Sequence, residues 1–137
     1  MRSFFDTNIL LYLYDDDEPE KKAKALEVFD WEVEKGRAAS STQVLQEFYV
    51  IATRKLRIPL SPARAEARVR DCSRLPLVQV DAPMVLAAIA RSQRMPLSFW
   101  DALIVEAALS ASANRLLTED LQHGQEIEGL RIENPSL

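Results

Sequence analysis

Two apolar periodicities alternate along this chain. Short continuous runs predict buried strands over residues 2–5, 37–40 and 77–80, around Leu116-Leu117, and over 130–132. Between them the apolar residues recur at helical spacing. Asn8 to Tyr14 reads as a short helix, ended by the acidic run Asp15-Asp16-Asp17-Glu18 before Pro19. From Glu20 to Glu34 the residues Ala23, Leu26, Val28, Phe29 and Val33 mark a longer one, closed by Gly36. Ser41 or Thr42 caps a helix to about Leu56, and Ser61-Pro62 starts another that stops before Pro76. Asp81-Ala82-Pro83 opens a helix over 84–92, and Ser98 opens one to about Ser112. Strands alternating with helices require crossover connections, so the expected fold is α/β: a mainly parallel five-stranded sheet with helices on both faces, in one domain over 1–137.

The length of 137 residues suits one domain with a core of useful size. With 47% hydrophobic and 28% charged residues the composition is that of an ordinary globular protein, and no apolar stretch approaches the roughly 20 residues of a membrane span. The strand-like run begins directly after Met1-Arg2, which leaves no room for a signal peptide, so the expected location is cytoplasmic and no membrane partner is expected. The single cysteine, Cys72, has no histidine near it in sequence, and the single histidine, His123, lies in a loop-like stretch. A thiol nucleophile, a serine triad and a multi-histidine zinc site are all disfavoured. A net charge of −4 argues against coating nucleic acid by bulk electrostatics. Local basic clusters occur at Arg54-Lys55-Leu56-Arg57, at Arg64, Arg68, Arg70 and Arg74, and at Arg91 and Arg94.

What changes this picture is a set of acids in apolar settings. Asp6 follows Phe4-Phe5, where a buried strand hands over to a helix; Asp120 follows Leu116-Leu117-Thr118-Glu119. In an open parallel sheet both point to the carboxyl ends of the strands, where ligands bind. Glu47 stands at the margin of the stripe Val44, Phe48, Ile51 and Ala52. Asp101 stands at the edge of the stripe Trp100, Ile104, Ala107, Ala108 and Ala111, with Glu106 on the opposite face. Each has a plain structural alternative. Asp6, Thr7 and Asn8 are all favoured helix caps, Ser98 with Asp101 resembles a capping box, Glu47 is compatible with an amphipathic margin, and Asp120 with a turn in which Glu119 could serve instead. Four converging carboxylates without a basic partner would repel, and a divalent cation is the natural remedy. With Asp6 as a ligand, the cap falls to Thr7 or Asn8.

Phe4-Phe5-Asp6-Thr7-Asn8, the lone helical Glu47, Ser98-Phe99-Trp100-Asp101-Ala102 and Leu117-Thr118-Glu119-Asp120 together resemble, in order and spacing, the four acidic motifs of PIN-domain nucleases. The single-domain size is similar to that of VapC-type toxins of bacterial toxin–antitoxin pairs. The resemblance implies a PIN-like three-layer sandwich and a Mg2+- or Mn2+-dependent endoribonuclease with RNA as substrate. It also implies a homodimer and a cognate antitoxin, with a groove at the helices over 20–34 and 42–56, whose aromatics Phe29, Trp31, Phe48 and Tyr49 are each expected first of all to pack in the core, with some left to serve the interface. By carry-over Asp6, Glu47, Asp101 and Asp120 are the acidic site, with Asn8 and Thr118 as polar supports. Hard oxygen ligands suit Mg2+ or Mn2+. Asp6 and Asp101 are the principal ligands expected, with Glu47 and Asp120 holding a second ion or orienting water.

Aspartyl-phosphate phosphatases also place an Asp after the first strand. They would need a second Asp where this chain has Asn8, and no lysine follows Lys55 to hold a phosphoryl group. The competing non-enzymatic reading is a PIN-like scaffold that binds without catalysis.

Overall fold

The computed structural model describes residues 1–137. Strand β1 (Ser3–Phe5) lies inside the sheet with β2 (Ala38–Ser41) on one side and β4 (Arg115–Leu117) on the other. The six strands run β3-β2-β1-β4-β6-β5, with β3 at Leu77–Val78, β5 at Glu126–Ile127 and β6 at Leu130–Glu133. Every pairing is parallel except that of β5 with β6. β1 and β2 are buried along their whole length, which is why they read as continuous small and apolar runs rather than as alternation.

The helices are α1 (Thr7–Tyr12), α2 (Pro19–Glu34), α3 (Thr42–Arg54), α4 (Pro62–Cys72), α5 (Ala82–Arg94) and α6 (Phe99–Ser110). Their starts follow the chemistry of the sequence. Ser41, Ser61, Asp81 and Ser98 each accept a hydrogen bond from the backbone N–H three residues on. Each such cap stabilises its helix by about 0.5–2 kcal/mol. The core joins Phe4 and Phe5 to Ile9, Leu10, Val44, Phe48, Val105, Leu116, Leu117, Leu130 and Ile132.

Three expectations are corrected. The sheet has six strands rather than five, because β5 is a two-residue antiparallel edge strand, too short to carry a periodicity. Its turn places Glu128 and Gly129 at φ 51° and 87°, and Glu128 is held there by an ion pair with the buried Arg91. In α2 the marked stripe is only partly the inner face. Ala23 and Val33 are exposed, while Ala25 and Glu32 are buried, because Glu32 turns inward to Arg37 and Arg115. In α6 residues 102–105 are all buried, yet Trp100 at its first turn is 60% exposed. No helix is long and apolar enough to cross a membrane.

Candidate functional site

Parallel pairing puts the carboxyl ends of β1, β2 and β4 side by side. Phe5 is in register with Leu117, so the residues that follow, Asp6 and Thr118, emerge together. The Asp6 N–H donates to the Leu117 carbonyl at 3.0 Å, and the Thr118 hydroxyl donates to Asp6 Oδ2 at 2.8 Å. β1 also lies where the chain order reverses, with β2 to one side and β4 to the other; such a switch point opens a crevice at the strand ends.

A cavity of about 280 Å³ occupies this place, and Asp6, Glu47, Asp101 and Asp120 all line it. Asn8 and Gln43 join them, with Leu11, Ile51, Ile104 and Trp100 as apolar wall. Each acid arrives on a different element. Asp6 is the N-cap of α1, its Oδ1 accepting from the Thr7 N–H at 2.7 Å. The expected transfer of the cap to Thr7 or Asn8 is therefore incorrect: Asp6 both caps and faces the cavity, because a carboxylate has two oxygens to give. Thr7 instead donates its hydroxyl to Glu47 Oε1 at 2.7 Å. Glu47 is half-buried on α3, where its neighbours Val44 and Phe48 are buried and anchor the turn. Asp101 sits in the first turn of α6, its N–H donating to the Ser98 hydroxyl at 3.1 Å. Asp120 follows β4, and its N–H donates to the Thr118 hydroxyl at 3.1 Å, so one threonine braces two acids.

Glu119 does not take the place of Asp120. It turns outward to the Tyr12 hydroxyl at 2.6 Å and Lys21 at 3.3 Å. Glu106 is likewise elsewhere, paired with Arg91 at 2.7 Å. Gln43 was not anticipated. Its position one turn before Glu47, on the same side of α3, is the signal that would have found it.

The electrostatics are those of uncompensated negative charge. Burial pushes the Asp6 carboxyl up to about 7, against the hydrogen bonds from Thr118 and Thr7, with the charges of Asp120 and Glu47 adding to the rise. Partial desolvation at the cavity mouth also raises Asp120, exposed though the residue is, as do the charges of Asp101, Glu119 and Glu47, while the Asn8 side chain holds it down. Two amide oxygens beside the acids, Asn8 Oδ1 and Gln43 Oε1, are buried without a hydrogen-bond partner. Carboxylates plus orphaned amide oxygens form a hard oxygen donor set, and no lysine or arginine lines the cavity. The acids ring the space without closing on one point: no three acidic, histidine or cysteine side chains are spaced to grip a metal ion as they stand. The two observations agree if the ion is Mg2+ or a similar cation, which keeps several waters and takes only one or two carboxylates directly.

Other candidates carry less chemistry. The cavity beside Cys72 is larger, about 460 Å³, but mostly apolar, and burial pushes the thiol up to about 11, which leaves it an inert core residue. His123 accepts from the Asn134 N–H at 3.0 Å and ties down a loop. Of the basic clusters, Arg68 and Arg74 lie by Asp71, Arg70 pairs with Glu66, and Arg91 with Glu106 and Glu128. Of the four aromatics on the helices of the expected partner groove, Phe29 packs on Phe5 and Phe48 on Tyr14, as expected of core residues, whereas Trp31 and Tyr49 are exposed.

The sequence profile described as PIN domain matches residues 3–125. A toxin–antitoxin complex from Klebsiella pneumoniae contains a chain 25% identical, with 97% of each chain covered and a TM-score of 0.68. DNA-bound VapBC from Salmonella typhimurium gives 23% identity, 98% coverage of both chains and a TM-score of 0.68. The Mycobacterium tuberculosis toxin VapC20, described as cleaving the sarcin-ricin loop, gives 21% identity over 86% of this chain and 91% of that one, with a TM-score of 0.64. Among curated proteins none matches the sequence.

Proposed function

We propose, from the premise that this chain belongs to the PIN-domain family, that its acidic cavity is the site of an endoribonuclease dependent on Mg2+ or Mn2+, and that the chain is the toxin of a toxin–antitoxin pair. The observation that carries the reading is Asp6. It is 5% exposed, shares its cavity with three further acids and two partnerless amide oxygens, and has no cationic side chain beside it. A ligand that supplies the missing charge accounts for a carboxylate kept there at the cost of its desolvation.

In this reading Asp6 and Asp101 hold the cation, and Glu47 and Asp120 hold a second one or orient the attacking water. A divalent cation bound there supplies the charge that polarises a phosphodiester and acidifies a water. The residues of the chain do the rest. Thr118 and the Thr7 N–H fix both oxygens of Asp6, and the Thr7 hydroxyl fixes Glu47, so the donors are oriented before substrate arrives. Asp120, exposed at the mouth with its pKa raised, accepts a proton more readily than an ordinary carboxylate. Arg54 is exposed on the same side of α3 as Glu47, two turns on and about 10 Å further along the axis, where it can meet a flanking phosphate.

The similar Klebsiella chain sits in a toxin–antitoxin complex, and that supports an antitoxin partner here. So does the cavity itself, since uncompensated acids attract a guanidinium. Exposed Tyr49 and Val50, beside Leu45 and Val69, give an apolar patch on α3 and α4 for the rest of a partner segment, and the family likeness supports a homodimer.

The test is mapping of cut ends in total RNA with Mg2+, for the wild type and for Asp6→Asn. Cleavage that is lost in the variant, with the fold retained by circular dichroism, is expected. A wild-type protein that neither cuts RNA nor takes up Mn2+ by calorimetry would sink this reading in favour of a non-catalytic PIN scaffold.

A further inference from the structure

We propose that Trp100 is the platform on which an unstacked RNA base lies beside the cleaved phosphate, which makes single-stranded segments the substrate of this site. The proposal rests on the nuclease reading and adds a binding residue to it. Trp100 is adjacent in sequence to Asp101, on the same first turn of α6, and lines the acidic cavity. It is nevertheless 60% exposed, while residues 102–105 of the same helix are buried and anchor that turn against the core. Gln43 Nε2 donates to the Trp100 carbonyl at 3.4 Å, which ties its backbone to α3, the helix that carries Glu47.

The ring itself is available. Phe99 meets it edge-to-face, with centroids 5.1 Å apart and planes at 75°, a contact that covers at most one face of the indole. The cation–ring contacts of the chain lie at Tyr12, Tyr14 and Trp31. The other exposed tryptophan, Trp31, is thus covered by Lys35, whereas no cation lies over Trp100. A phosphodiester that reaches the acids brings its neighbouring base within reach of that ring. Every base has a π-face, so stacking holds the strand without reading its sequence, and a base inside a duplex has no face to offer. A chain with net charge −4 gains little from bulk attraction to RNA, so such a contact carries more of the binding.

The experiment uses the full chain with Trp31→Phe, which makes Trp100 the only indole, titrated with a single-stranded oligoribonucleotide in chelator and then assayed with Mg2+. We expect RNA to quench Trp100 fluorescence. We also expect Trp100→Ala to weaken binding and raise KM by about 5- to 150-fold with kcat little changed, Trp100→Phe to recover most of the loss, and the same sequence in a duplex to be cut poorly. Wild-type cleavage together with unchanged KM in Trp100→Ala and unquenched fluorescence overturns the stacking role and leaves the nuclease intact. A change of oligomeric mass in Trp100→Ala, without a change in RNA affinity, assigns the ring to a protein interface and also overturns it. If the wild type cuts no RNA, the nuclease reading has failed and this proposal with it.

Discussion

Glu32 and Asp6 are buried to almost the same degree, 3% and 5% exposed, and lie at opposite ends of β1 in opposite surroundings. Glu32 receives the Ser3 hydroxyl at 3.0 Å, Arg37 through two nitrogens at 3.1 and 3.2 Å, and Arg115 at 3.1 Å. Every donor a carboxylate needs is supplied from within the chain. Asp6 receives one N–H and one hydroxyl and otherwise faces acids. The same functional group is finished at one end of the strand, where it is a fastening, and unfinished at the other, where the proposed site lies. Burial alone therefore says nothing about function; what matters is whether the counter-charge is built in.

The largest effect expected from breaking this contrast is the loss of cleavage in Asp6→Asn. RNA assays with Mg2+ should show a fall of more than about 100-fold, beyond the range of about 10–100-fold for losing an outer support. Activity within a few-fold of wild type would mean that the unfinished end of β1 is not the site.

Next comes pH. Asp6 goes from 3.8 to about 7 on folding, so the native chain keeps a proton that the unfolded chain releases. The stability that this proton contributes is fully present below about pH 4 and is lost as pH rises through about 7, by at most about 4 kcal/mol. Urea midpoints in chelator should follow that slope, Asp6→Asn should flatten it, and Mn2+ should restore stability at pH 8. A slope unchanged by Asp6→Asn would assign it to other groups.

Glu32→Gln sharpens the comparison from the other side. It leaves Arg37 without its counter-ion and Arg115 with Glu133 alone, and we expect a loss of about 2–3 kcal/mol in urea unfolding, below the range for a fully buried pair because both arginines are partly exposed. RNA cleavage below the unfolding range should be unaffected. The smallest effect belongs to Thr118→Val, which keeps the shape and removes the hydroxyl that braces Asp6 and Asp120. Calorimetry should show Mn2+ affinity reduced by about 10–100-fold with little change in the unfolding midpoint.

Much of the fold was legible because its cues are local. Ser41, Ser61, Asp81 and Ser98 begin helices where their side chains say they should, and the strand-like runs at Phe4-Phe5 and Leu116-Leu117 are buried because parallel strands are covered on both faces. β5 was not legible, since two residues carry no period. The inward turn of Glu32 was not legible either, since a hydrophobic count cannot foresee a charge buried against two arginines from 5 and 83 residues away. Trp100 was misplaced for a related reason: its helical position suits the core, but the first turn of α6 overhangs the cavity mouth.

By itself the sequence determined the alternation of elements and the supply of acids at strand ends and helix margins, because both follow from residue type and spacing within one segment. Only the tertiary structure decided which acids share a cavity, that Glu119 turns away to Tyr12 and Lys21 while Asp120 faces in, and that Asp6 caps α1 as well as lining the site. Those outcomes depend on the register of β1 with β4 and on the packing of α3 and α6 beside them, and register is a relation between segments that no single segment contains.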